Sequence, residues 1–396
     1  MKRIMIYAWM VLMFCMMTMC QTQKKLSEIT FTEVTVSGQA NNWWARAMAD
    51  INGDGLLDIV LQDDNAYGGW LGWLETGQDT ARWKLHLIAD SARIGDDFAC
   101  GDMETADLDH DGDVDVFGFV QEGEWESADS STIYWFENPG WEAHLIGKAP
   151  GFIKDVEKAD FNNDGKTDIA VITYTRNSLQ VFCQDQDGWR EEVSQMIPNL
   201  HEGMSVGDID GDGYTDIATN GYWVRNPGGD GSAEWVTLQI DSRWSSQEGD
   251  WSKNATKNFC ADVDEDGKAE VFISHSERKG YPVSWYDLVD AENNTWEEYV
   301  IDTIDGCHTL QVYDFNHDGH LDVLAGENQM RWEDEDDPVN LYLNSGDNQN
   351  FIKQTISSKG IYNGLAGDLD QDGDLDILRL PGHSSTTLYI WFNQIK

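Results

Sequence analysis

Short runs in which β-branched and aromatic residues alternate with polar ones recur along nearly the whole chain, each bounded by Gly, Asn, Asp or Pro. A period of two predicts strands, and the short spacing predicts an all-β chain with tight connections. The second unit shows the pattern. A strand enters an acidic loop at Asp107, residues 114–120 leave it, 132–136 form a third strand, Glu137-Asn-Pro-Gly turns, and 141–146 close the unit. The closing strand has its own signature, an aromatic residue followed five positions later by a β-branched one: Trp83 and Ile88, Trp141 and Ile146, Trp235 and Ile240, Trp296 and Ile301, Phe351 and Ile356, with Trp189 in a looser copy. A four-stranded antiparallel unit repeated in this way is a propeller blade.

The acidic loop fixes the period. The pattern Asp-x-Asp/Asn-x-Asp-Gly-x-x-Asp/Glu begins at Asp50, Asp107, Asp160, Asp208, Asp262, Asp314 and Asp368, at intervals of 57, 53, 48, 54, 52 and 54 residues. Loop positions 1, 3, 5 and 9 carry oxygen ligands in every copy. They are Asp50, Asn52, Asp54 and Asp58; Asp107, Asp109, Asp111 and Asp115; Asp160, Asn162, Asp164 and Asp168; Asp208, Asp210, Asp212 and Asp216; Asp262, Asp264, Asp266 and Glu270; Asp314, Asn316, Asp318 and Asp322; and Asp368, Asp370, Asp372 and Asp376. Hard oxygens on a sharp Gly turn at position 6 make a cage for calcium, about seven structural ions in all. Unrelated solvated turns would not keep four ligand positions in register. An EF-hand would need flanking helices and a Glu at position 12, whereas here alternating strands follow each loop.

Only two strand-like runs, 375–379 and 387–392, follow the seventh loop, and residues 31–36, ahead of the first loop, carry the closing-strand signature. The N-terminal strand is therefore expected to complete the last blade, closing a ring and removing a vulnerable edge. The reading is a seven-bladed β-propeller over residues 29–396. Its loops, Ala-Asp-Ile-Asn-Gly-Asp-Gly and Gly-Asp-Ile-Asp-Gly-Asp-Gly, resemble FG-GAP/VCBS repeats, the calcium-loop propeller repeats of integrin α headpieces, a fungal propeller lectin and several carbohydrate-active propellers. The resemblance spans residues 29–396. It implies the fold and calcium and leaves activity open.

Charge narrows the partners. The net charge is -46, and 25 of the 28 loop ligands are carboxylates. Such a surface excludes nucleic acid and anionic membranes as direct partners. Residues 1–20 read as a signal: a basic Met1-Lys2-Arg3, an apolar run from Ile4 to Met19, then Cys20, where a bacterial lipoprotein would be lipidated. Residues 21–28 are a short linker. The expectation is an exported, lipid-anchored cell-envelope monomer that meets the membrane only through its anchor. Cys100, Cys183, Cys260 and Cys307 are expected as free thiols; Cys100 and Cys307 belong to blades two and six, too far apart to bridge.

Strand direction then places a candidate site. The start of each first strand and the end of each second strand share the face opposite the loops. There the sequence sets His201, Glu202, Lys257, His275, His308, Glu327, Asn363, Arg379 and His383, with Trp43, Trp44, Arg46, Asp102, Lys154 and Asp155 from the first three blades. Three readings compete with simple solvation. A carbohydrate-binding platform would offer the faces of Trp44, Tyr222, Trp223 and Tyr362, with Asn363 and carboxylates taking hydroxyls. A lyase or dehydratase would use His275 or His308 as base, beside His201, Glu202 and Glu327, with Lys257 or Arg379 neutralising a sugar carboxylate. The histidines and a carboxylate are also a set for a catalytic divalent metal. The segments around His201, His275 and His308 are similar to the propeller part of aldos-2-ulose-type sugar dehydratases, over blades four to six. An adhesion or scaffold role, as in integrin headpieces, is the third class. His86 and His144 fall in fourth strands, and His110, His317 and His320 in loops, so these read as structural or solvated.

Overall fold

In the computed structural model, the acidic loops join the first and second strands of seven four-stranded antiparallel sheets. The structure describes residues 28–37, 43–63, 69–77, 79–95, 98, 101–123, 128–186, 188–229, 233–328, 336–382 and 385–395, with backbone alone at 37, 43–46 and 81. The signal, Cys20, most of the linker, Cys100 and His383 lie outside the described residues, as do the side chains of Trp43, Trp44 and Arg46. Blade one is Trp43–Ala49, Asp58–Asp63, Trp70–Glu75 and Lys84–Asp90, and each later blade repeats that order outward. First strands of neighbouring blades face one another around the axis, and the first blade's inner strand meets the seventh's. The ring is closed.

Burial explains the sequence pattern strand by strand. Second strands lie between neighbouring blades and are covered on both faces, so Asp168–Thr173 (DIAVIT) reads as a continuous apolar run and is buried throughout. Fourth strands lie outermost and are far less covered, as in Phe351–Ser357, where every residue is half-buried or exposed. Apolar clusters fill the wedges between blades: Ile169, Val171 and Phe182 of blade three pack with Phe117, Phe119 and Ile133 of blade two. Blade two departs from the expected pattern, with a first strand of only two residues, Thr105–Ala106.

The seventh blade is built as the chain ends required. Phe31–Ser37 pairs antiparallel with Thr387–Asn393 along its full length, outside Asp376–Leu380 and Asn363–Gly367. Ile29 is buried with Phe315, Ile377 and Trp391, and the Trp391 indole donates to Glu33 at 2.9 Å. Three cysteines, Cys183, Cys260 and Cys307, are free thiols.

One recurrent device is absent from the sequence reading. The buried position-9 carboxylate of each loop accepts the position-2 backbone N–H, at 2.7–3.2 Å in all seven copies. In six of the seven loops its other oxygen takes a backbone N–H from the end of the third strand, as Asp216 does from Asn226 at 2.7 Å. In four of them that residue's side-chain amide then reaches the preceding blade: Asn138 donates to the Ile51 carbonyl, Gln184 to Leu108, Asn226 to Phe161 and Asn393 to Phe315. Loop, blade and neighbouring loop are thereby tied. Asn226→Ala should cost roughly 1–3 kcal/mol, because buried carbonyls lose their donor. Urea unfolding measures this; an unchanged midpoint would show that the tie carries no stability.

Candidate functional site

The two ends of the ring differ in chemistry. At one end stand the acidic loops, each wound around its own carboxylates. The Gly N–H at position 6 donates to the position-1 carboxylate at 2.8–3.1 Å in all seven. The position-7 N–H donates to the position-5 carboxylate at 2.9–3.2 Å. Position 4 adopts positive φ in every copy, including His110, Asn163, Glu265, His317 and Gln371. A non-glycine residue there is strained, and a shared purpose has to hold it. Carboxylate oxygens of positions 1, 3 and 9 lie within 4.8 Å of one another in the loops of Asp107, Asp208, Asp262 and Asp368. Asp107 Oδ1, Asp368 Oδ1 and Asp370 Oδ1 are buried with no hydrogen-bond partner. Converging, partly orphaned oxygens are the donor set a hard divalent cation takes. The loops fit calcium.

Along the axis runs a cavity of about 360 Å³, walled by the inner strands. Asp102, Glu104, Asp155 and Glu157 stand on one side, with Lys257, Asn258, His308, Gln311 and Asn363 among the lining from later blades. Glu157 is surrounded by protein yet reached through the cavity; desolvation, then Glu104, Asp102 and Asp155, push its carboxyl well above the usual range.

At the channel end opposite the loops lies a buried polar cluster. Lys154 Nζ is 2.9 Å from Glu202 Oε2, and Ser276 Oγ donates to Glu202 Oε1. His308 Nε2 is 3.6 Å from Glu277 Oε1 and 3.9 Å from Glu202 Oε1. The His308 ring stacks on Tyr362 with centroids 3.9 Å apart. Asn328 Nδ2 approaches both Glu277 oxygens at 3.4 and 3.5 Å. Desolvation works to raise the Glu202 pKa, but Lys154 and then Lys257 outweigh it and hold the carboxyl well below the ordinary range. Glu202 is therefore an ionised carboxylate inside the protein.

Of the residues singled out from sequence, the structure brings Glu202, His308 and Tyr362 together, with Lys257 and Asn363 on the adjoining cavity wall. It does not bring the other two histidines to them. His275 Nδ1 accepts the Glu277 N–H at 3.1 Å and Nε2 meets Gln247 Oε1 at 2.8 Å, so both ring nitrogens serve the fold. His201 Nε2 bonds the Trp251 carbonyl at 2.9 Å, and burial pushes its pKa down to about 4, which keeps it neutral. It lines a separate pocket with Tyr174, Asn177, Asn199 and Lys253. Glu327 caps the Asp305 N–H at 3.3 Å, and desolvation raises it to about 7.

Other assignments also need correction. Arg379 is not poised for a sugar carboxylate: it donates to the Gly360 and Lys359 carbonyls at 2.6 and 2.7 Å and lies over Tyr389 and Trp391. Trp223 is no platform, being wholly buried edge-on to Trp296. Tyr362 has one face covered by His308. Tyr222 is half-buried against the blade-three core. Glu277, which the sequence reading passed over, is central. Its only signal was position, two residues beyond His275 at the end of a second strand. His86 and His144 are structural, stacked on Trp73 and Trp135 and bonded to Glu75 and Glu137.

Residues 107–171, 160–219 and 262–325 match the FG-GAP-like repeat family. No curated protein matches the sequence. Among solved structures, the chain is similar to BBS1N in its complex with ARL6DN, at TM-score 0.56 and 13% identity over 91% of this chain and 96% of that one. It is similar to a rhamnogalacturonan lyase of Bacillus licheniformis, at TM-score 0.51 and 14% identity over 92% of this chain and 75% of that one. Sqt1 of Saccharomyces cerevisiae gives TM-score 0.51 and 8% identity over 93% and 100%. These identities carry the fold alone.

Proposed function

We propose, because this chain is a seven-bladed propeller built of FG-GAP-like repeats, that it is a calcium-stabilised carbohydrate-binding protein whose ligand enters the channel opposite the acidic loops. One observation carries the reading: the 360 Å³ axial cavity, whose wall sets Asp102 and Asp155 among Lys257, Asn258 and Asn363. Carboxylates and amides that accept and donate along one wall suit a polyhydroxylated ligand, and Lys257 suits an acidic one. The strongly acidic exterior keeps nucleic acid away. The signal-like first twenty residues and Cys20 support export and a lipid anchor as the setting in which external calcium fills the loops.

A lyase or dehydratase is the second reading, favoured by the buried His308 between Glu202 and Glu277. His308 would take the proton, and Lys154 would balance charge near Glu202. The fold likeness to a polysaccharide lyase agrees with this reading but does not argue for it. A glycan array run beside an ultraviolet assay for unsaturated sugar products separates the two. Binding without product is the expected result. His308→Ala should weaken glycan binding several-fold, or remove turnover if product forms, whereas His317→Ala in a loop should do neither. Equal effects from both would move the site elsewhere.

A further inference from the structure

We infer that Glu202, Glu277 and His308 form a binding site for one first-row divalent transition metal, distinct from the acidic loops. The donors converge from three successive blades. Glu202 precedes Met204–Gly207 in blade four, Glu277 follows Glu270–His275 in blade five, and His308 belongs to Cys307–Tyr313 in blade six. All three side chains are more than nine-tenths buried, and one ligand atom of each lies within 4.8 Å of the other two. Metal–ligand bonds of about 2.0–2.2 Å give donor–donor edges of about 3.3–3.6 Å in a tetrahedral site. The edges at His308 Nε2 are 3.6 and 3.9 Å, within a few tenths of an ångström of that range, and the edge between the two carboxylates is no longer than 4.8 Å.

The surroundings provide a second, independent argument. Metal ligands are held by outer partners that orient them and set their charge. Here Lys154 and Ser276 hold Glu202, Asn328 supports Glu277, and Tyr362 fixes the plane of the His308 ring. His308 also lines the axial cavity, which supplies a route in and room for an exogenous oxygen ligand. An imidazole among carboxylates selects zinc, manganese, iron or cobalt over calcium, whereas the loops offer oxygen alone. The site deepens the proposed function, since an ion at the channel mouth would meet hydroxyl or carboxylate oxygens of a sugar. Its test needs no sugar.

Full-length protein saturated with calcium, so that the loops are filled, is dialysed against cobalt(II) chloride and read by visible absorption and by metal analysis. One cobalt per chain with ligand-field bands, displaced by zinc, is expected. Glu277→Gln, which keeps shape, and His308→Ala should each weaken cobalt binding at least tenfold while melting in calcium as the parent does. No retained cobalt in the parent would overturn the inference and leave His308 as a base or an ion-pair partner. Cobalt retained undiminished by both variants would equally overturn it. A parent protein that retains cobalt but binds no glycan would instead refute only the carbohydrate reading.

Discussion

Chelation should lower the melting temperature by tens of degrees, reversibly, because every blade folds around a crowded acidic loop. Twenty-five ligand carboxylates stand at seven sites, and buried oxygens such as Asp107 Oδ1 and Asp370 Oδ1 have no hydrogen-bond donor. A ligand that binds only the folded state at a hundredfold its Kd adds about 2.7 kcal/mol per site. A few such sites match the whole stability of about 5–15 kcal/mol that domains possess. Calorimetry in EDTA, then after calcium is returned, measures the effect. An unchanged curve, with metal analysis confirming removal, would contradict a structural role. Asp111→Ala, which opens a single loop, should cost far less than chelation and leave ligand binding intact.

Removal of residues 21–37 should aggregate the protein or abolish cooperative melting. The deletion strips the whole partner of Thr387–Asn393, from Phe31 opposite Asn393 to Ser37 opposite Thr387, and exposes a long unpaired edge. It also withdraws the buried Ile29 and the Glu33 that binds both Trp391 and Lys359. The last blade is the clasp of the ring, so the loss would spread beyond one sheet. Val34→Pro, opposite Ile390, tests the same pairing by placing a proline in the ladder, and should destabilise in the same direction. A truncated chain that stays monomeric and melts like the parent would refute the shared blade.

The ring was legible because its determinants are local. Period-two alternation, an acidic loop at regular intervals and a closing-strand aromatic each act within a few residues, and the strand missing after residue 392 pointed to residues 31–36. The site was legible only as a face. Strand direction correctly sent Glu202 and His308 to the end opposite the loops, but not their neighbours, because side-chain partners come from other blades and from irregular connections. His275 is occupied by Gln247, from the segment before blade five; Arg379 turns back to the Gly360 carbonyl; and Trp223 sinks into the wedge beside Trp296. None of those encounters has a spacing to read. Glu277 was missed for the same reason, as was the amide tie from Asn226 to Phe161 across a blade boundary.

The most direct test of the functional claim compares two lysine changes at opposite ends of the propeller. Lys257 lines the axial cavity, whereas Lys166 sits in the acidic loop that opens at Asp160. Lys257→Gln and Lys166→Gln remove the same charge, and both should melt with the parent in saturating calcium. Affinity for the best glycan identified on the array, measured by calorimetry, should fall about tenfold for Lys257→Gln, the loss of one charge-assisted hydrogen bond. It should stay unchanged for Lys166→Gln. Equal losses, or none from Lys257→Gln, would contradict a carbohydrate site in the channel.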